Sequence, residues 1–236
     1  MEKTAIITGA GRGIGRALAC GLAADGFNVV LISRNEPDLE GVKREIAALV
    51  PNSDSKVVLY PISVTERAAI DKAVSDVIER YGAIDVLINN AGINYQGTWQ
   101  IDPARFEEML AVNTLGPFNM MHAVVPQMKK RGSGYIINVA SICAVEGFEG
   151  VGAYSASKFA LLGFNESLYR ELSPLGIKVT ALCPSWTNTD MAKHSPLSDS
   201  DKIQPADVLE AVRFLLKLGP SATVKELVIG CAKQPD

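Results

Sequence analysis

Thr8-Gly9-Ala10-Gly11-Arg12-Gly13-Ile14-Gly15 separates a short apolar run, residues 5–8, from a stretch where Ile14, Ala17, Leu18, Gly21 and Leu22 recur at helical spacing. A strand that enters a helix through such a turn needs glycine for tight turning and close backbone approach. The helix start then offers free N–H groups to a pyrophosphate. Placement gives the loop its meaning: it follows the first strand and opens the first helix, the setting of a dinucleotide site. Gly9, Gly11, Arg12, Gly13, Ile14 and Gly15 are its candidate cofactor residues.

Outward from the loop the same alternation continues. Residues 29–32, 56–60, 84–89, 135–140, 178–183 and 226–229 are further strand candidates. Helical spacing falls over 36–50, 66–81, 103–128, 152–172 and 206–218, with Asn35 as an N-cap, Pro37 in the first turn behind it and a bend expected at Pro117. Lys129-Lys130-Arg131 before Gly132 marks a helix end, where cations suit the dipole. Seven strands separated by helices imply a parallel sheet covered on both faces. Right-handed crossovers make it doubly wound. The expectation is α/β: one Rossmann-type domain over 1–236, a seven-stranded parallel sheet in the order 3-2-1-4-5-6-7. The long polar segment 185–205, which carries Pro196, reads as a flexible flap.

Composition excludes several classes. Of 236 residues 47% are hydrophobic and 21% charged, which is globular and not disordered. No apolar run approaches the ~20 residues that span a bilayer. Glu2 and Lys3 run directly into the first strand without a signal-peptide pattern, so a cytoplasmic protein is expected. A net charge of −3 gives no footprint for nucleic acid or an anionic membrane. Cys20, Cys143, Cys183 and Cys231 lie far apart and read as reduced thiols. With only His122 and His194, neither a histidine metal site nor a Ser-His-Asp triad is expected, and no metal is assigned.

The second strand decides which dinucleotide. An NAD site places a carboxylate about 20 residues beyond the loop, on the ribose hydroxyls. Here the strand ends in Ser33-Arg34-Asn35, without an acid at its tip. Arg34 can pair bidentately with a 2′-phosphate, and Arg12 stands in the loop beside it. Glu36 is the counter-argument, but a first-turn carboxylate suits the helix dipole anyway. NADP (as NADPH) is expected over NAD.

Tyr154-Ser155-Ala156-Ser157-Lys158 places Tyr154 and Lys158 at i and i+4, one face of a helix. A phenol with a pKa near 10 is a poor proton carrier at neutral pH, and a neighbouring ammonium lowers that value. Ser141 follows the fifth strand, at the carboxyl edge where open α/β sheets bind ligands. Its hydroxyl can hold a carbonyl or alcohol oxygen.

Together these residues resemble the short-chain dehydrogenase/reductase family, and the likeness covers nearly the whole chain. Thr8-Gly9-x-x-x-Gly13-x-Gly15 is similar to the family's cofactor loop. Asn89-Asn90-Ala91-Gly92 is similar to its motif after the fourth strand, and the 13-residue step from Ser141 to Tyr154 is a usual spacing. The resemblance implies hydride transfer between a nicotinamide and a small-molecule carbonyl or alcohol. Tyr154 would be the general acid or base, Lys158 would hold the ribose and acidify Tyr154, and Ser141 would orient the substrate. Asn113 would complete the catalytic set through a water-linked proton path. Asn90, Ala91, Gly92, Ser63, Val64, Pro184 and Thr189 would border the cofactor. Two positions depart from the pattern: Ser63 where the family has aspartate, and Ser185 where glycine is common.

By the same likeness Tyr95, Ser141, Cys143, Phe148 and Trp186 would line an apolar substrate pocket. A 3-oxoacyl thioester or a cyclic ketone in an open site is the leading expectation. Oxidative use as an NAD(P)-linked alcohol dehydrogenase is the second, and a non-catalytic dinucleotide sensor the third. Helices over 102–128 and 152–172 are expected to pair across two-fold axes, giving a homodimer or homotetramer.

Overall fold

The structure is a computed structural model that describes residues 2–233. Its strands are β1 (Thr4–Thr8), β2 (Asn28–Ile32), β3 (Val57–Tyr60), β4 (Val86–Asn89), β5 (Gly134–Val139), β6 (Ile177–Pro184) and β7 (Glu226–Ile229). All pair in parallel, in the order β3-β2-β1-β4-β5-β6-β7. Alternate side chains explain why the inner strands are apolar throughout. Ile7, Leu31, Ile88 and Ile137 join one core with helices α1 (Gly13–Ala24), α2 (Glu36–Leu49) and α7 (Pro205–Lys217). Ile6, Val30, Leu87 and Ile136 face the other way, onto α3 (Arg67–Tyr81), α5 (Gly116–Arg131) and α6 (Gly152–Leu172). Both faces are covered, as a parallel sheet requires.

Local signals hold where they act locally. Asn35 caps α2 by accepting from the Asp38 N–H at 3.2 Å. Lys129, Lys130 and Arg131 close α5, and Gly132 follows in the left-handed region at φ 65°.

The helix expected over 103–128 is instead interrupted. α4 (Pro103–Leu110) passes into one wide π turn, Ala111–Leu115, before α5 begins. The bend therefore precedes Pro117, which sits harmlessly in the first turn of α5. Pro117 has no N–H to give the carbonyl of Asn113 four residues back, and Gly116 instead bonds the Ala111 carbonyl across five residues. The wide turn carries Asn113.

Segment 185–205 is irregular, as expected, but tied down at its base. Asn188 N–H donates to the Ile203 carbonyl at 2.8 Å, and Ile203 N–H to that of Trp186 at 2.9 Å. Ser185, Thr187, Lys202 and Ile203 are buried, so the exposed part of the segment is its middle.

Candidate active site

The order of the sheet reverses direction between β1 and β4, and a crevice opens at the carboxyl ends there. It is a cleft of about 1040 Å³. One wall is the glycine loop. Gly9 has φ +64°, and a Cβ on it would stand 2.9 Å from the Ala91 Cα, so only glycine fits. The Thr8 hydroxyl accepts from the N–H groups of Asn90 and Ala91, both at 3.0 Å, and the Asn90 amide donates to the Thr8 and Gly9 carbonyls at 2.9 and 3.3 Å. The turn after β4 is thus a brace for the loop after β1.

Helix α1 starts at this loop without a side-chain cap on Arg12 and without an acid in its first turn. Its N–H groups and positive dipole end face the cleft unanswered. Gly9, Gly11, Arg12, Gly13, Ile14, Ser33, Arg34, Ser63, Val64, Asn90, Ala91, Gly92, Pro184 and Thr189 all line it. Gly15 does not. It is buried behind the loop, where a Cβ would strike the Gly9 carbonyl, so it permits the turn and does not border the cleft.

The structure also corrects which carboxylate matters at this end. Glu36 is not among the lining residues, but Asp38 is, with its Cβ only 2.8 Å from where a Gly11 Cβ would stand. Helical rotation explains it: two residues on, the side chain turns by about 200° and faces the loop. Sequence reading missed Asp38 for that reason.

At the other end stand Ser141, Tyr154 and Lys158. Ser141 stands two residues beyond β5, and its Oγ accepts from the Cys143 N–H at 3.1 Å, which caps the turn that follows. Tyr154 and Lys158 both enter the cleft from α6, and Lys158 Nζ donates to the Val139 carbonyl at 3.0 Å. Burial dominates their ionisation. It pushes the Tyr154 phenol well above its usual range, and the Ser141 hydroxyl beside it only moderates the shift. Burial also lowers the Lys158 ammonium to about 8. In the protein itself desolvation, which disfavours the charged form of each, is the largest influence on both groups.

Asn113 lies apart from the cleft surface. It is fully buried in the π turn; its Oδ1 accepts from the Ile93 N–H at 2.8 Å, and its amide donates to the Ile93 carbonyl at 2.8 Å and to Ser157 Oγ at 3.0 Å. In this arrangement it positions the strand-four loop against α6 and touches no open space. A second buried asparagine chain was not foreseen: Asn89 donates to Asn138 at 2.8 Å, Asn138 to Asn165 at 2.9 Å, and Asn165 to the Lys225 carbonyl at 3.3 Å. It links β4, β5 and α6 beneath the site.

Tyr95, Cys143, Phe148 and Trp186 line the cleft beyond Ser141, where expected. Glu149 and His194 join them unforeseen, carried by loops whose side-chain directions no periodicity encodes.

This geometry has counterparts. The family model for short chain dehydrogenases matches residues 3–199. The chain belongs to that family. As a short-chain dehydrogenase it is 31% identical to an uncharacterised oxidoreductase of Staphylococcus epidermidis, over 97% of this chain and 96% of that protein. A β-ketoacyl-[ACP] reductase structure from Bacteroides thetaiotaomicron superposes with TM-score 0.87 at 40% identity, covering 99% of this chain and 98% of that one. An alcohol dehydrogenase from Thermococcus sibiricus, complexed with 5-hydroxy-NADP, superposes with TM-score 0.90 at 28% identity, covering 100% and 99%. This short-chain dehydrogenase is thus an oxidoreductase of a nicotinamide-using family. No helix among its described residues is long and apolar enough to cross a membrane.

Proposed function

We propose that this enzyme reduces a ketone with NADPH. The observation that carries the reading is the buried Tyr154 phenol, beside Ser141 and Lys158, in the same cleft as the uncapped α1 start. The donor set suits a dinucleotide: an open helix N-terminus for the pyrophosphate, and Arg12 and Arg34 for a 2′-phosphate. When bound, the nicotinamide supplies the hydride. Every other task falls to the chain.

Ser141 donates to the substrate oxygen and orients it. Tyr154 gives its Oη proton to that oxygen as the carbon becomes an alcohol, and solvent restores the proton. Lys158, charged below about pH 8, holds the ribose hydroxyls and stabilises the phenolate left after transfer. Asn113 would act from behind, bonding Ile93 and Ser157 and so holding the loop after β4 against α6, the helix that carries Lys158.

The substrate is a 3-oxoacyl thioester or a cyclic ketone, in keeping with the likeness to a β-ketoacyl reductase. NADP is favoured by the two guanidiniums, although Asp38 opposes them. The chain works as one domain, with the middle of 185–205 as its flap. It assembles as a homodimer or homotetramer through α5 and α6, where Phe118 and Phe159 are exposed and Phe118 meets the Phe164 ring at 5.8 Å.

NADPH consumption against thioesters, cyclic ketones and aldehydes, with NADH and Tyr154→Phe alongside, tests the reading. Turnover with NADPH that vanishes in the variant supports it. Binding of NADPH without turnover of any carbonyl would favour a dinucleotide sensor.

A further inference from the structure

The substrate end of the cleft is not electrically neutral. Residues 148–151 form a tight turn in which Val151 N–H donates to the Phe148 carbonyl at 3.4 Å, and Gly150 takes φ +75°. That is the backbone of a turn with glycine at its third position. Glu149 occupies the corner before it. The turn is anchored in turn, since Gly97 N–H donates to the Gly150 carbonyl at 2.7 Å. The carboxylate is therefore presented from fixed backbone at the mouth of the cleft.

Most other charges of the cleft are committed or stand at its glycine-loop end, although Arg34 there is near enough to Tyr95 to act on its hydroxyl. Asp190 holds Lys193 at 2.8 Å and Arg12 at 3.4 Å. Arg12 and Arg34 border the glycine-loop end, and Lys158 is buried against Val139. Among the described residues Glu149 has no cation partner. Phe148, its neighbour in sequence, and Trp186 line the same cleft, Trp186 packing in part against the core under α1 and α7. Aromatic faces beside a carboxylate are a receptor for an ammonium group, through cation–π attraction and direct charge pairing.

We propose that Glu149 makes this enzyme favour ketones that carry a protonated amine over neutral and anionic ketones of the same shape. The inference rests on the proposed reduction for its reaction but on Glu149 and its aromatic neighbours for its specificity. Glu149 is solvent-exposed, so water and salt temper the effect to about three- to tenfold per unit of substrate charge.

The test uses three ketones of one shape: 4-acetylbenzylamine (cationic), 4-ethylacetophenone (neutral) and 4-acetylbenzoate (anionic). Their Kd values for the protein saturated with NADP+, which cannot reduce them, are measured by calorimetry at pH 7.5, and NADPH oxidation is followed in separate assays. The expected order of affinity is cation, neutral, anion. The spread between cation and anion collapses in Glu149→Gln, reverses in Glu149→Lys, and shrinks in 1 M salt. Equal Kd values, a spread that survives in Glu149→Gln, or no binding of any of the three overturns the proposal. Ranked binding without NADPH oxidation supports the role of Glu149 and refutes ketone reduction, so the two failures are distinct.

Discussion

Lys158 Nζ, on α6, donates to the carbonyl oxygen of Val139, the last residue of β5, at 3.0 Å. One bond thus ties the lysine of the helix to the strand that delivers Ser141 two residues later. It also keeps the ammonium in a site poor in water, at a depressed pKa of about 8.

That depression has a signed consequence for stability. Between about 8 and the usual 10.5, the unfolded chain holds a proton on this lysine that the folded chain has lost. Stability therefore rises with pH across this window, by up to about 3 kcal/mol. The raised Tyr154 acts in the opposite sense, but only above about pH 10, the unfolded phenol value. The Cys20 and Cys183 thiols, pushed up to about 11 by burial, oppose the rise above about pH 9. Urea melts from pH 7 to 9 should therefore show the protein gaining stability relative to Lys158→Met. Parallel curves would contradict it.

Loss of the Tyr154 proton donor should be felt in chemistry and not in cofactor binding. Tyr154→Phe is expected to lower kcat/KM for ketone reduction by roughly 10²- to 10⁴-fold. The NADPH Kd, read by fluorescence, should stay within about threefold. A variant that reduces ketones at the parent rate would remove Tyr154 from the mechanism.

At the other end of the cleft two charges of opposite sign compete. Arg34→Ala should weaken NADPH by roughly 10- to 100-fold while sparing NADH, the loss of one charge-assisted contact. Asp38→Asn should move NADPH the other way, toward tighter binding. Equal changes for the two cofactors in either variant would show that these residues do not read the 2′-phosphate.

The asparagine chain beneath the site is a stability element. Asn138→Ala strands the Asn89 amide and the Asn165 oxygen in the core. The cost of about 2–4 kcal/mol corresponds to a fall in Tm of roughly 5–15 °C for a chain of this size. A thermal melt shifted by less than 2 °C would mean that the chain is not strained by the loss.

Much of this was legible along the chain. The glycine loop, the Tyr154–Lys158 spacing and Ser141 after a strand each depend on residues close in sequence, and α6 and β7 lie where periodicity places them. The misses share a cause. Asn113 sits on the wide turn before Pro117, buried against Ile93 and Ser157, a placement that helical periodicity does not encode. Gly15 matches the loop pattern but supports it from behind, and Asp38 enters the cleft in place of Glu36.

By itself the sequence determined most of the elements, the class of the sheet and the identities of the residues gathered at its carboxyl edge. Those follow from short-range physics: side-chain period, glycine at positive φ, and the handedness of crossovers. Only the tertiary structure decided how deeply Tyr154 and Lys158 are buried, that Asn113 faces inward, and that Glu149 stands at the cleft mouth. Desolvation and pairing depend on every element packed around a group, and those elements are brought in from tens of residues away along the chain.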